Sequence, residues 1–166
     1  MCSDGISVAA ARRLAKRAHG AQVDARGEPY LAHLGRVAAA VPLFARPVAW
    51  LHDALERTDI DESGLIDAGA SAVQRLAVRL LSRHEREPSD DSYMAHVRAI
   101  ALAEGQAGEI ARVVKRADLL DHVSHPPPDH EGWTPPYRAA VVVLAMTSHK
   151  AVTSNRQARQ PANRVG

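Results

Sequence analysis

The length and composition of the chain limit the kind of protein it can be. Its 166 residues suit one compact domain, because a chain of this length buries most of its apolar surface around one core. Apolar residues make up 46% of the sequence and aromatic residues only 4%, which favours closely packed helices over a strand-rich sandwich. The single cysteine, Cys2, excludes an internal disulfide and a cysteine-based zinc site.

Charge is unevenly distributed along the sequence. Of the 21 basic residues, four lie in Lys150–Gly166, which has no acidic residue, so the remainder has 17 basic against 19 acidic residues. Because no basic stripe is interleaved with aromatic residues, binding to nucleic acid is not expected. We expect a folded domain over residues 1–149 and a flexible basic tail over residues 150–166.

Neither an export signal nor a membrane segment is indicated. The start, Met1 to Gly5, has no basic region followed by an apolar run, and nowhere do about 18 apolar residues follow one another. Together with the cysteine content, this predicts a cytoplasmic protein without a membrane partner.

The first two predicted helices follow from apolar spacing and from the residues that interrupt it. A first amphipathic helix is expected over Ile6–Gln22. Gly27 and Pro29 break the pattern, and helical spacing resumes over Tyr30–Val41. His33 then lies in the first turn of the second helix.

The third predicted helix carries an adjacent histidine and aspartate. Pro47 suits an early helical position, and Val48 and Leu51 mark the apolar face that follows. His52 and Asp53 are expected to lie inside this apolar helix.

Four more helices are predicted after residue 72. They are indicated by the series Val73, Leu76, Ala77, Leu80 and Leu81, by residues Asp91–Ala103, by the series Ile110, Val113, Val114, Ala117 and Leu120, and by Tyr137–His149. Five of the ten prolines lie between Val123 and Pro136, which predicts an extended loop. The fold class expected is therefore an all-α bundle of about seven to nine helices.

Carboxylates on apolar helices indicate a bound cation. An ionised carboxylate such as Asp53 is costly to bury unless a cation or hydrogen-bond donors compensate, and Asp118 repeats this situation on another apolar helix. Imidazole nitrogens with carboxylate oxygens suit Mn²⁺, Fe²⁺, Zn²⁺ or Co²⁺ and leave positions open for water or substrate. A divalent ion in such a site suits the hydrolysis of a phosphate ester or pyrophosphate. Glu56, four residues after His52, is expected on the same helical face, where it could orient or deprotonate the attacking water.

Four segments, in the expected order, resemble those of the HD metal-dependent phosphohydrolases, most closely the hydrolase domains of the RelA/SpoT type and their small stand-alone versions. The segments are Ala18–Gln22, Gly27–His33, Trp50–Glu56, which resembles the family's LLHDxxED helix, and Val114–Asp118, which resembles its VKLAD segment. The resemblance implies an HD-domain helical bundle with one metal, most often Mn²⁺, held by His33, His52, Asp53 and Asp118. It also implies a nucleotide substrate, from which pyrophosphate is removed at the 3′ position of guanosine tetra- or pentaphosphate.

Three positions depart from the family's pattern near the expected substrate. Glu56 is followed by Arg57, whereas the family has an aspartate that helps prepare the water; a guanidinium cannot act as a base but could bind a substrate phosphate. Asp24, with Arg26 two residues on, stands where longer enzymes have an arginine that packs on the guanine. His122 stands where the family has an asparagine near the nucleotide sugar.

Three further residues have two interpretations each. Tyr93 resembles a family position near the nucleotide, with ordinary packing as the alternative. Lys115 could meet phosphates or lie on a solvated helix face. His19, on the inner stripe of the first helix, is expected to brace the site through a hydrogen bond.

Three functional hypotheses follow from the sequence. The first is an active phosphohydrolase, and the second is a nucleotide-binding or regulatory module whose catalysis is weakened by Arg57. The third is a structural helical adaptor, which would have to bury its acids without a metal. The oligomeric state is not indicated.

Overall fold

The protein is all-helical in a computed structural model that describes residues 5–83, 89–126 and 136–145. Within these ranges, eight α-helices account for most residues. An isolated β-bridge, between Val23 and Pro29, lies in the connection between the first two helices. The helices are α1 Val8–His19, α2 Tyr30–Ala39, α3 Arg46–Leu51, α4 Ala54–Arg57, α5 Glu62–Asp67, α6 Ala72–Leu81, α7 Asp90–Leu102 and α8 Gly105–Ser124, with a 3-10 turn, η1, at Leu43–Ala45 and further helical residues at 136–145. The predicted fold class and the number of helices are confirmed.

None of the helices in the described ranges combines the length and apolar character needed to cross a membrane. The predicted basic tail at 150–166 and most of the proline-rich loop lie outside the described residues.

The short helix α3 lies at the centre of the bundle. Helices α1, α2, α6 and α8 all pack against it. Val48 and Ala49 of α3 are fully buried, and Leu51 is 1% exposed. The buried side chains of Val48 and Ala49 are small and let neighbouring helices approach α3, and the packing of α2 and α8 on α3 brings both beside the residues that follow it.

The helix predicted to contain His52 and Asp53 is interrupted at these two residues, so that part of the prediction is wrong. Helix α3 ends at Leu51 and α4 begins at Ala54; His52 keeps helical backbone angles, whereas Asp53 has φ −102° and ψ 2°. The Asp53 carboxylate binds Tyr30 of α2 and does not cap α4. The break between α3 and α4 is therefore accompanied by a contact with another helix, and such a contact cannot be predicted from the spacing of apolar residues within one segment.

Two predicted apolar faces are turned slightly from their expected positions. Leu76 of α6 is 46% exposed and Leu120 of α8 is 44% exposed, while Val78 of α6, outside the predicted series, is buried. An i, i+3, i+4 series marks a wide stripe, and only the part facing neighbouring helices is buried. Helix α8 also continues to Ser124, two residues into the predicted loop, and the backbone N of His125 still donates a hydrogen bond to the Asp121 carbonyl.

Candidate metal centre

Four side chains predicted as metal ligands converge between α2, the α3–α4 junction and α8. His33 lies on α2, His52 and Asp53 at the junction, and Asp118 on α8. His33, His52 and Asp118 are each buried. The Asp118 Oδ1 atom lies 3.4 Å from His33 Nε2 and 3.7 Å from His52 Nε2, and Asp53 Oδ2 lies 3.4 Å from His52 Nε2. The structure thus brings all four residues to one place.

The ligand atoms form two overlapping groups with spacing close to that of a metal site. Atoms of His33, His52 and Asp53 lie within 4.8 Å of one another, and so do atoms of His33, Asp118 and His122. Ligand atoms bonded to one ion at about 2.1 Å lie at most about 4.2 Å apart. Both groups include His33, and His52 Nε2 of the first group lies 3.7 Å from Asp118 Oδ1 of the second, so the two groups adjoin one another.

The hydrogen bonds of the two buried histidines leave their Nε2 atoms facing carboxylates. His33 Nδ1 lies 2.8 Å from Asp121 Oδ2, and His52 Nδ1 lies 2.8 Å from the Ala49 carbonyl. Because both partners accept hydrogen bonds, each Nδ1 carries a proton, and a neutral ring keeps its lone pair on Nε2. Both Nε2 atoms are buried without a hydrogen-bond partner among the described residues. Lone pairs that face carboxylate oxygens fit a cation between them.

Protons can stabilise the same arrangement when no cation is bound. Burial lowers the pKa of His33, but the neighbouring carboxylates of Asp118 and Asp121 outweigh burial and raise the pKa to about 9. The pKa of His52 is also raised, since the charges of Asp53 and Asp118 outweigh burial. Burial opposes ionisation of Asp118, yet Lys115 and the histidines hold its pKa well below the usual range. A metal ion and protons therefore compete for the same nitrogens.

Asp121 and Arg36 support His33 from behind, and sequence reasoning missed both. Asp121 Oδ1 accepts a hydrogen bond from Arg36 Nε at 2.7 Å, and Oδ2 accepts bonds from Arg36 Nη2 at 3.0 Å and His33 Nδ1 at 2.8 Å. Despite burial, these contacts hold the pKa of Asp121 below its usual range. Arg36 follows His33 by three residues and Asp121 follows Asp118 by three. That one-turn spacing on both helices was the signal that could have identified them.

Asp53 is held by Tyr30 and Arg57. The Tyr30 hydroxyl donates a hydrogen bond to Asp53 Oδ2, and Arg57 Nε lies 3.5 Å from the same oxygen. The Arg57 guanidinium lies 5.2 Å from the centre of the Tyr30 ring. His19 stacks on Tyr30 and binds Gln22 Oε1 at 2.9 Å, while Gln22 Nε2 donates to the Arg57 carbonyl at 2.8 Å. His19 thus contributes a hydrogen bond behind the site, as its position on the inner stripe suggested.

Lys115 and His122, predicted to bind substrate, contact Asp118 from the same helix. Lys115 Nζ lies 2.8 Å from Asp118 Oδ2, and His122 Nε2 lies 3.1 Å from Oδ1. Tyr93 is close by, since Lys115 Nζ lies 5.7 Å from the centre of its ring. The Tyr93 hydroxyl is buried without a hydrogen-bond partner among the described residues. Lys115 and His122 therefore contact one of the four predicted ligands, and Tyr93 lies against Lys115; the binding of substrate by these three residues stays a prediction.

Glu56 binds Arg83, which sequence reasoning did not identify. Glu56 Oε2 accepts a hydrogen bond from the Arg83 backbone N at 3.0 Å, and Oε1 accepts one from Arg83 Nη2 at 3.2 Å. Both carboxylate oxygens therefore have a partner, and neither belongs to the two groups of metal-ligand atoms. A role for Glu56 as a base stays a prediction that requires it to leave Arg83.

Asp24 and Arg26 stabilise the turn that precedes α2. Asp24 Oδ1 accepts hydrogen bonds from the backbone N of Arg26 at 2.8 Å and of Glu28 at 2.9 Å, and Arg26 Nη2 donates to Glu28 Oε2 at 2.8 Å. Glu28 Oε2 also lies 3.5 Å from Arg36 Nη1, which joins the turn to the support of His33. The two residues have a structural role here, and their contact with a base stays a prediction.

Comparisons with known proteins assign no family to this chain. No model of a known protein family matches the sequence, and a search of curated proteins gives no match. Membership of the HD phosphohydrolases therefore stays an expectation that rests on the motifs, whereas the clustering of histidines and aspartates is a property of the structure.

Proposed function

We propose that this protein is a metal-dependent phosphohydrolase of the HD type that acts on a nucleotide pyrophosphate or phosphate ester. The observation that supports it most is the pair of buried Nε2 atoms of His33 and His52, which face Asp53 and Asp118 without hydrogen bonds. Such a ligand set suits Mn²⁺, Fe²⁺, Zn²⁺ or Co²⁺, with Mn²⁺ implied by the resemblance. A divalent ion there would lower the pKa of water and neutralise charge on a phosphoryl oxygen.

The charges around the centre favour an anionic substrate. Three carboxylates each have one arginine or lysine partner within 3.5 Å: Asp53 with Arg57, Asp118 with Lys115, and Asp121 with Arg36. These charges balance, so a divalent ion bound to neutral histidines would leave an excess of positive charge. Phosphate or pyrophosphate groups would neutralise that excess.

Arg57 and Glu56 have different proposed roles. The Arg57 side chain is 47% exposed while its Nε lies 3.5 Å from Asp53, so its guanidinium can reach a phosphate beside the centre. Arginine stays protonated and cannot act as a base. We propose that Glu56 takes the proton from the attacking water. For this, its carboxylate must first release Arg83 and bind the water instead.

The finer proposal concerns the substrate. The motif resemblance supports removal of pyrophosphate from the 3′ position of guanosine tetra- or pentaphosphate. Lys115 and His122 contact Asp118, and Tyr93 lies against Lys115; all three are proposed to contact that nucleotide. Another nucleotide or a small phosphate ester is the alternative substrate.

Metal analysis combined with a phosphate-release screen tests the proposal. Purified protein is stripped with chelator, then assayed with and without Mn²⁺ on guanosine tetraphosphate, NADPH and common nucleotides. We expect turnover that depends on Mn²⁺ and is lost in His52→Ala and Asp53→Ala. His96→Ala is the matched control, because His96 is half-buried on α7 and binds the Leu81 carbonyl. Full turnover in the stripped protein contradicts the proposal, and a protein that binds no divalent metal favours the structural adaptor.

A nucleotide-binding module with weak hydrolysis is the second candidate. It is favoured by the engagement of both Glu56 oxygens by Arg83 and by Arg57, which stands where the family has an aspartate. Nucleotide binding without turnover, followed by a gain of hydrolysis in Arg57→Asp, would support it. Vigorous turnover of the unmodified protein, with no gain in Arg57→Asp, removes it.

A further inference from the structure

We infer that His122 is a fifth ligand of the metal, so that the centre contains three imidazoles and two carboxylates. The inference rests on the metal centre proposed above and adds one residue to it. It replaces the contact with the nucleotide that was proposed above for His122, which stands where the family has an asparagine near the sugar.

The strongest support is the crowding of three imidazole nitrogens around one oxygen atom. Asp118 Oδ1 lies 3.1 Å from His122 Nε2, 3.4 Å from His33 Nε2 and 3.7 Å from His52 Nε2. The other oxygen of Asp118 is occupied by Lys115 at 2.8 Å. The three nitrogens and Oδ1 thus face the same small volume.

A hydrogen bond from His122 to Asp118 would be the simpler explanation of their contact. It accounts for one of the three nitrogens and leaves the buried Nε2 atoms of His33 and His52 facing the same oxygen. A shared cation accounts for all three, because each imidazole then directs a lone pair at it.

The ring of His122 is oriented toward the centre by its neighbours. It stacks on Tyr137 with 5.1 Å between ring centres and an angle of 19°, and its centre lies 5.0 Å from that of His33. Its side chain is 31% exposed, at the rim of an otherwise buried cluster. A rim position suits a ligand that closes the site on the side open to solvent.

His125 offers a matched comparison on the same helix. It lies close to one turn after His122, is 37% exposed and contacts an aspartate of its own, with Nδ1 3.2 Å from Asp121 Oδ1. Asp121 belongs to neither group of metal-ligand atoms. The two histidines therefore differ mainly in their aspartate partner: Asp118, next to His122, is a predicted metal ligand, whereas Asp121, next to His125, is not.

A third imidazole should change which metal the centre prefers. Nitrogen ligands favour Co²⁺ and Zn²⁺ over Mn²⁺, which is better served by oxygen ligands. We therefore expect His122 to contribute more to the affinity for Co²⁺ than to the affinity for Mn²⁺.

Titration of the stripped full-length protein with Co²⁺ and with Mn²⁺ tests the inference without an activity assay. Calorimetry gives the affinities, and the visible absorption of bound Co²⁺ reports its ligands. In His122→Asn we expect Co²⁺ affinity to fall at least about tenfold, with a smaller loss for Mn²⁺ and an altered Co²⁺ spectrum. His125→Asn should lose far less Co²⁺ affinity than His122→Asn and keep the Co²⁺ spectrum of the unmodified protein, because Arg36 still holds both oxygens of Asp121.

Two results would overturn the inference, and they can be told apart. An unchanged Co²⁺ affinity and spectrum in His122→Asn rejects His122 as a ligand and leaves the other four in place. Failure of the unmodified protein to bind either metal rejects the proposed centre as a whole. Circular dichroism checks folding, and His122→Ala is measured in parallel so that a defect of one variant does not decide the result.

Discussion

His33 donates a hydrogen bond from Nδ1 to Asp121 at 2.8 Å while its Nε2 faces Asp118 at 3.4 Å. A carboxylate that binds the far nitrogen of a ligating histidine fixes the tautomer and makes the near nitrogen a better ligand. Arg36 holds both oxygens of Asp121, so the carboxylate is itself held in position. Asp121 is therefore a positioning residue for the metal centre.

Replacing Asp121 with asparagine should weaken metal binding without removing a ligand. The amide accepts a weaker hydrogen bond from His33 and loses the ion pair with Arg36, so we expect Mn²⁺ affinity to fall by about 10–100-fold. Calorimetric titration of the stripped protein with Mn²⁺ measures this affinity. Asp67→Asn, at the exposed end of α5, is the control and should leave the affinity unchanged. Equal affinities in both variants would show that Asp121 does not orient His33.

Metal binding near pH 7 should release protons. The pKa of His33 is raised from 6.5 to about 9, so its ring is protonated at pH 7 and must lose a proton before it binds a cation. Calorimetry in two buffers of different ionisation enthalpy counts the protons released, and we expect about one or more per ion at pH 7. Mn²⁺ affinity should rise between pH 7 and 9. An affinity that does not vary over this range contradicts the prediction.

The same shift predicts opposite effects of pH on the stripped protein and on metal binding. A pKa raised on folding means that the contribution of His33 to stability is present below pH 6.5 and is lost as the pH rises through about 9. The melting temperature of the stripped protein should therefore include a contribution from His33 that decreases between pH 6.5 and about 9. Saturating Mn²⁺ should oppose that fall, because its own affinity increases with pH.

The all-helical fold could be predicted because helix formation depends on apolar spacing that is visible locally. The exact buried face could not, since it depends on which neighbours a helix meets: Leu76 and Leu120 continue their apolar series yet are exposed. The break at Asp53 has the same origin, because the contact with Tyr30 joins residues 23 positions apart.

The candidate site was predictable where residue type and motif coincide, as for His33, His52, Asp53 and Asp118. Partners that orient them were not identified, since Arg36 and Asp121 bond across 85 sequence positions and each alone resembles a surface charge. Glu56 shows the converse limit: its spacing from His52 predicts a shared helical face, but its carboxylate meets Arg83.

Removing the charge of Lys115 should destabilise the stripped protein more than the metal-bound protein. Lys115 Nζ lies 2.8 Å from Asp118, and their side chains are 12% and 5% exposed. Breaking a buried ion pair leaves an uncompensated charge and typically costs about 3–5 kcal/mol. We expect Lys115→Met to lower the free energy of unfolding by roughly this amount in chelator, and Mn²⁺ to restore part of it. Urea unfolding with and without Mn²⁺ measures both values; equal losses would show that the ion does not lie against Asp118.

Glu56→Gln should separate proton transfer from metal binding. Glu56 lies outside the two groups of ligand atoms, so the amide should leave Mn²⁺ affinity unchanged while removing the group proposed to accept a proton. General-base catalysis contributes about 10²–10⁴-fold, and we expect kcat to fall by that order at constant Mn²⁺ affinity. Glu62→Gln is the matched control, because Glu62 also binds arginines, Arg75 and Arg79, but on the exposed side of α5 and α6. If kcat is unchanged in Glu56→Gln while the control behaves as expected, another group accepts the proton of the attacking water. The Glu56–Arg83 pair then stabilises the α3–α4 region and takes no part in the reaction.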